Sequence, residues 1–104
     1  MAQMLIGGEW VGSRNGELFQ VVDPATGEDV DTAPRATVED ARDAIDAADA
    51  AFRVWSEWPQ GKRADVLRRA VELVRLHDQE LAALLTREQG KPLKEAILEI
   101  RRFA

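Results

Sequence analysis

"VVDPATGEDV", residues 21–30, is a strand that turns and comes back as a strand. Val21 and Val22 are β-branched and favour extended backbone. Asp23-Pro24 stops the run, because proline cannot donate to a strand ladder and an aspartate side chain readily caps a turn. Thr26-Gly27 supplies a residue that tolerates positive φ, and Glu28 to Val30 resumes the strand. This hairpin sets the reading of the first 34 residues. Before it, "MLI" and "EWV" flank Gly7-Gly8, the pair that a two-residue turn demands. "SRNG" then reads as a loop and "LFQVV" as the strand entering the quoted turn. "DVDTA" leaves it, and Pro34 ends that run.

From Thr37 the apolar period becomes helical. Thr37 is a good N-cap, with Glu39 and Asp40 in the first turn where the helix dipole favours acids. Val38, Ala41, Ile45, Ala48, Phe52 and Trp55 recur at three- and four-residue spacings, which predicts one inward stripe. "SEWPQG" breaks this helix at Pro59. A second helix is expected from about Lys62 to His77. Its buried face would hold Val66, Leu67, Ala70, Val71, Leu73 and Val74, and Asp65–Arg69 would form an i,i+4 ion pair. Asp78 reads as the N-cap of a third helix with Leu81, Leu84 and Leu85 inward, closed by Gly90 at C′. Pro92 fits the first position of a fourth, with Leu93, Ala96, Ile97 and Ile100 inward. That pattern carries no stop signal before Ala104, which fits a domain that ends in a helix as well as the front of a longer chain.

Composition narrows the possibilities. The chain has 104 residues, 45% of them hydrophobic, enough for one small domain with a core. Its 14 basic and 19 acidic residues give a net charge of −5, which argues against a nucleic-acid partner. The acids concentrate between Asp23 and Asp49 and the bases between Lys62 and Arg75, as two solvated helix faces of opposite sign would. There is no cysteine, hence no disulfide, thiolate zinc site or cysteine nucleophile among these residues. The opening residues form neither a signal peptide nor a membrane span, so a cytoplasmic location is expected.

No self-contained active site emerges. His77 is the sole histidine and stands at a helix end, where capping or surface roles dominate. Ser13 and Ser56 lie in loops with no histidine near them in sequence. "PQGKR" and "EQGKP" lack the earlier glycine and the Ser/Thr of a phosphate loop, and "GGEWVG" is not a dinucleotide fingerprint. Glu95 and Glu99 share a helix face, as many solvated pairs do.

The order of the pieces is more telling than any one of them. "IGGEWV", "FQVVDPATGEDVDTAP", "TVEDARDAIDAADAAFRVWSEWP" and "KRADVLRRAVELVRLHDQELAALLTREQGKPLKEAILEI" follow one another across essentially the whole chain. This succession resembles the N-terminal portion of the NAD(P)-dependent aldehyde dehydrogenase superfamily. The resemblance implies an α/β fold. Residues 1–104 would form the N-terminal part of its cofactor-binding domain: strands and turns over 1–34, about four amphipathic helices over 37–104, and no Rossmann core.

It also implies chemistry in which a cysteine thiolate attacks an aldehyde and hydride passes to NAD or NADP. A glutamate-activated water then releases the acid. The residues for those steps lie downstream in the family, so this chain alone is expected to be inactive and to bind no cofactor. One site carries over: a monovalent cation, K+ or Na+, held by the backbone carbonyls of Val21, Val22 and Glu88, with further ligands beyond Ala104. Position 88 is Glu where relatives with the site often carry Asp.

"LTREQGKPLKEA" looks most like the semialdehyde dehydrogenase branch, with betaine-aldehyde-type members next. The expected partner is the rest of the dehydrogenase chain, in a homodimer or homotetramer. The competing expectation is a stand-alone, non-enzymatic interaction module derived from the family, which would need polar residues on its outward faces.

Overall fold

The computed structural model describes residues 1–104. The element order is β1 (Met4–Ile6), β2 (Glu9–Val11), β3 (Leu18–Val22), β4 (Asp29–Pro34), α1 (Val38–Trp55), α2 (Gln60–Leu76), α3 (Asp78–Gln89) and α4 (Leu93–Phe103). The strands form two separate two-stranded sheets, β1–β2 and β3–β4. The chain divides into two compact units, Met1–Val21 with Asp31–Trp58, and Val22–Val30 with Pro59–Ala104. No helix is long and apolar enough to cross a membrane.

In the first unit, β1 and β2 pair antiparallel with Leu5 opposite Trp10. Gly7 and Gly8 both take positive φ, 61° and 87°, which a two-residue turn between right-twisted strands requires. The turn seats against α1, where a Cβ built on Gly7 would lie 3.9 Å from the Ala47 Cβ. Arg35 donates its backbone N–H to the Glu17 carbonyl, and its guanidinium lies 6.0 Å from the Phe19 ring centroid.

Helix α1 opens with a reciprocal cap. The Asp40 N–H donates to Thr37 Oγ1 at 3.1 Å and the Thr37 N–H donates to Asp40 Oδ2 at 2.8 Å. The same carboxylate accepts the Arg14 N–H at 3.2 Å and faces the Arg14 Nε at 3.7 Å. Asp40 therefore fastens the "SRNG" loop to the start of α1, and it is the one buried charged residue.

In the second unit the quoted turn closes with Asp23 donating to the Glu28 carbonyl and Gly27 donating to the Asp23 carbonyl. The Asp23 side chain accepts the Ala25 N–H at 2.8 Å. Helix α3 ends at Gly90 with φ 70°, and the Gly90 N–H donates to Thr86. A Cβ on Gly90 would stand 3.0 Å from Pro24 Cγ, so the turn rests directly on that helix end. Helices α3 and α4 pack together with Ala82 and Ala96 fully buried. Arg101 Nε donates to Asp78 Oδ2 at 2.8 Å, and Lys91 pairs with Glu99.

Several sequence expectations are corrected. The α1 stripe of Val38, Ala41, Ile45, Ala48 and Phe52 faces outward, because Asp40, Ala44 and Ala47 occupy the covered side. On α2, Val71 and Val74 are half-buried while Val66, Leu67, Ala70 and Leu73 are exposed. Leu84 and Leu93 are exposed too, since the small Ala82 and Ala96 take the contact positions.

Asp65 pairs with Arg68 at 2.7 Å, not with Arg69, because positions i+3 and i+4 flank the same carboxylate. The N-cap of α3 is His77, and Asp78 spends its carboxylate on Arg101. Pro92 is the N-cap of α4 rather than its first residue, with ψ 135°, and its carbonyl accepts from Glu95 and Ala96.

Two outcomes are expected. Gly90→Ala meets both a left-handed φ and the Pro24 ring, so it should lower unfolding stability by about 1 kcal/mol or more. An unchanged denaturant midpoint would contradict the seat described for the turn. The Asp40 carboxyl is held below its ordinary pKa, first by the Thr37 N–H and further by Arg14. A depressed folded pKa gives stability that is complete above the unfolded value and lost as pH falls through the folded one. The difference in thermal midpoint between the natural protein and Asp40→Asn should thus be largest near neutrality and shrink below about pH 4. A difference that grows in acid would contradict this.

Candidate functional site

The polar side chains considered for catalysis are engaged in local structure. Ser13 Oγ lies 2.6 Å from the Arg35 carbonyl and 2.7 Å from Asn15 Oδ1, both acceptors in its own loop region. Ser56 Oγ lies 3.5 Å from the Arg53 carbonyl at the end of α1. His77 Nδ1 lies 3.1 Å from Glu80 Oε2, an exposed pair one helical turn apart. A shallow concavity of about 350 Å³ in the first unit includes Ile6, Val11, Arg14, Asp40 and Asp43 in its lining. Glu9 also lines it; Asp40 and Asp43 are met by Arg14, and no serine, threonine or cysteine stands in the lining as a nucleophile.

Of the residues proposed to hold a cation, Val21 and Val22 are the last two residues of β3 and Glu88 lies in the last turn of α3. The contact between Pro24 and Gly90 brings together the turn that follows Val22 and the helix end that carries Glu88. The ordinary helical donor to the Glu88 carbonyl would be the N–H of residue 92. That residue is proline and has none. The carbonyl thus sits at the negative end of the helix dipole without its usual donor, a setting that suits a hard cation. Val21 belongs to the first unit and Val22 to the second. No group of three or more His, Cys, Asp or Glu side chains is placed to bind a metal.

Sequence reasoning missed the dual role of Asp40. The signal was present as T-x-x-D at Thr37–Asp40, a capping-box spacing with the shorter acid. The reach of Asp40 back to Arg14 is a tertiary contact that local pattern does not announce.

Comparison with known proteins settles the family. The sequence profile of the aldehyde dehydrogenase family matches residues 10–104. The chain belongs to this family. It is 43% identical over 98 residues to the NADP(+)-dependent succinate-semialdehyde dehydrogenase of Escherichia coli, covering 94% of this chain and 20% of that protein. It is 44% identical over 97 residues to malonate-semialdehyde dehydrogenase 2 of Oceanobacillus iheyensis, covering 93% and 20%.

Among solved structures, succinate-semialdehyde dehydrogenase from Burkholderia pseudomallei matches with TM-score 0.92 and 44% identity, over 96% of this chain and 21% of that one. The NADP-dependent glyceraldehyde-3-phosphate dehydrogenase from Bacillus halodurans, solved with NADP, matches with TM-score 0.94 and 35% identity, over 97% and 21%. The chain spans about a fifth of the length of the curated relatives it matches, in their N-terminal part.

If the backbone oxygens of Val21, Val22 and Glu88 bind a monovalent cation, replacing choline chloride by KCl or NaCl at equal ionic strength should raise the thermal midpoint of the complete aldehyde dehydrogenase. Equal midpoints in the three salts would remove the site.

Proposed function

We propose that this chain is the N-terminal scaffold of an aldehyde dehydrogenase that oxidises a short acidic semialdehyde to the dicarboxylic acid, using NAD or NADP. The observation that carries the reading is 43–44% identity to succinate- and malonate-semialdehyde dehydrogenases across nearly all of these residues. In this reading the thiolate nucleophile, the base that activates water and the cofactor contacts belong to residues downstream of Ala104. The present residues position the domain that holds them. They supply no reacting group, consistent with the absence of cysteine among them.

The stand-alone module is the weaker alternative. Such a module would need polar residues on its outward faces, yet Leu67, Leu73 and Leu76 on α2 are all exposed.

The test is aldehyde-dependent reduction of NAD and NADP by the natural gene product that contains these residues. Succinate or malonate semialdehyde should be turned over with a kcat/KM at least about tenfold above that for betaine aldehyde, a difference of ~1.4 kcal/mol in transition-state binding. A preference for betaine aldehyde would move the enzyme to that branch. A mature product of 11.6 kDa with no turnover would favour the interaction module.

A further inference from the structure

The loop after β2, "SRNG" at residues 13–16, holds the only asparagine among these residues, and glycine follows it directly. Asparagine is a thermolabile side chain. The backbone nitrogen of the next residue can attack its amide carbon, because that closure makes an unstrained five-membered ring. Glycine in the next position has no Cβ to obstruct the approach, and it reaches backbone conformations that other residues avoid. Both residues are exposed. Gly16 takes φ 74°, and a Cβ built on it would meet nothing within 4 Å.

Three contacts bear on the reacting atoms. The Glu17 N–H donates to Asn15 Oδ1 at 3.0 Å, and Ser13 Oγ lies 2.7 Å from the same oxygen. A donor on a carbonyl oxygen stabilises the negative charge that attack at the carbon places there. Nδ2, on the other arm of the amide, takes part in neither contact. The Gly16 N–H donates to the Ser13 carbonyl at 2.9 Å. That bond holds the attacking nitrogen in the same tight turn as its target. Its proton must be given up before attack.

From this arrangement we propose that Asn15 is a self-modification site, where the side-chain amide becomes aspartate or isoaspartate with water as the co-reactant. Hydroxide removes the Gly16 amide proton. The nitrogen bonds to Asn15 Cγ and the Cγ–Nδ2 bond breaks. Nδ2 leaves as ammonia, taking its extra proton from water and regenerating hydroxide. Water then adds to the cyclic imide. Opening at Cγ gives aspartate; opening at the backbone carbonyl of residue 15 routes the main chain through the side chain and gives isoaspartate. Nothing is oxidised or reduced.

The two products act differently on the loop. Aspartate keeps an acceptor for the Glu17 N–H. Isoaspartate adds a methylene to the main chain between two anchors. One is the Arg14 N–H on the Asp40 carboxylate, and the other is the Arg35 N–H on the Glu17 carbonyl. The extra atom displaces one anchor from the other, so isoaspartate loosens the hold of this loop on the start of α1.

The test is incubation of the full-length protein in mildly alkaline buffer, both folded and in guanidinium chloride. Mass spectrometry of the peptides covering residue 15 follows the time course. The folded protein should gain the mass of an amide-to-acid conversion at Asn15, at a rate within severalfold of the unfolded protein. Methylation by a protein isoaspartate methyltransferase should label that peptide. Asn15→Gln, whose ring closure is six-membered and slow, should lose both signals.

A folded protein that stays intact at Asn15 while the unfolded one converts would overturn the proposal, because the Gly16–Ser13 hydrogen bond would then be a lock. Methyl labelling that survives Asn15→Gln undiminished would also overturn it. The first comparison uses the unmodified protein, so it decides even if the variant folds poorly. No readout needs an aldehyde, so failure of the semialdehyde assay and failure of this proposal are distinguishable.

Discussion

Uncovered apolar surface is the constraint on which everything else in this chain depends. The chain exposes 7952 Å², against about 5,800 Å² for a folded monomer of 11.6 kDa. The apolar residues buried outright are Ala82 and Ala96, and no large side chain is fully buried. Burying one Val, Ile or Phe stabilises a fold by roughly 1.5–3 kcal/mol. Folded domains keep a margin of only about 5–15 kcal/mol. A chain that leaves Ile45, Phe52, Leu67 and Leu73 in water therefore forgoes an amount comparable to a whole domain's stability.

Order in the two units comes instead from backbone devices. In the first, one carboxylate satisfies the N-cap of α1 and fixes the loop after β2, so helix and hairpin share a single anchor at Asp40. In the second, Gly90 lets α3 end abruptly and leaves room for Pro24, so the quoted turn and the helix end form one joint. Such devices specify geometry well. They do not supply the cohesive energy of a core, which is why the apolar faces matter for function.

What was legible in the sequence was local. Gly7-Gly8, the Asp23–Gly27 turn, the Thr37 cap and the Gly90 terminator each act through their own backbone, and each stands where the residues place it. Burial was not legible, and the reason is physical. Periodicity shows that α1 has an apolar side; it does not show what covers it. The stripe through Ile45 has the spacing of a buried face, yet it is exposed, and no other part of these residues covers it. Asp78 and Pro92 each stand one position from the role their residue type suggests, because a carboxylate and a proline each fit two adjacent roles at a helix start. The cation carbonyls came from family likeness. The structure adds only that Pro92 deprives Glu88 of its usual helical donor.

The measurement that tests the central claim most directly is a comparison of the 104-residue polypeptide, expressed alone, with the full-length protein. The paired readouts are ANS fluorescence and near-UV circular dichroism. The account predicts strong ANS binding, weak near-UV signal and a broad thermal transition for the short chain, and none of these for the complete protein. A monodisperse short chain that ignores ANS and melts in one sharp transition would contradict the claim that its exposed faces are interior surfaces of a larger enzyme.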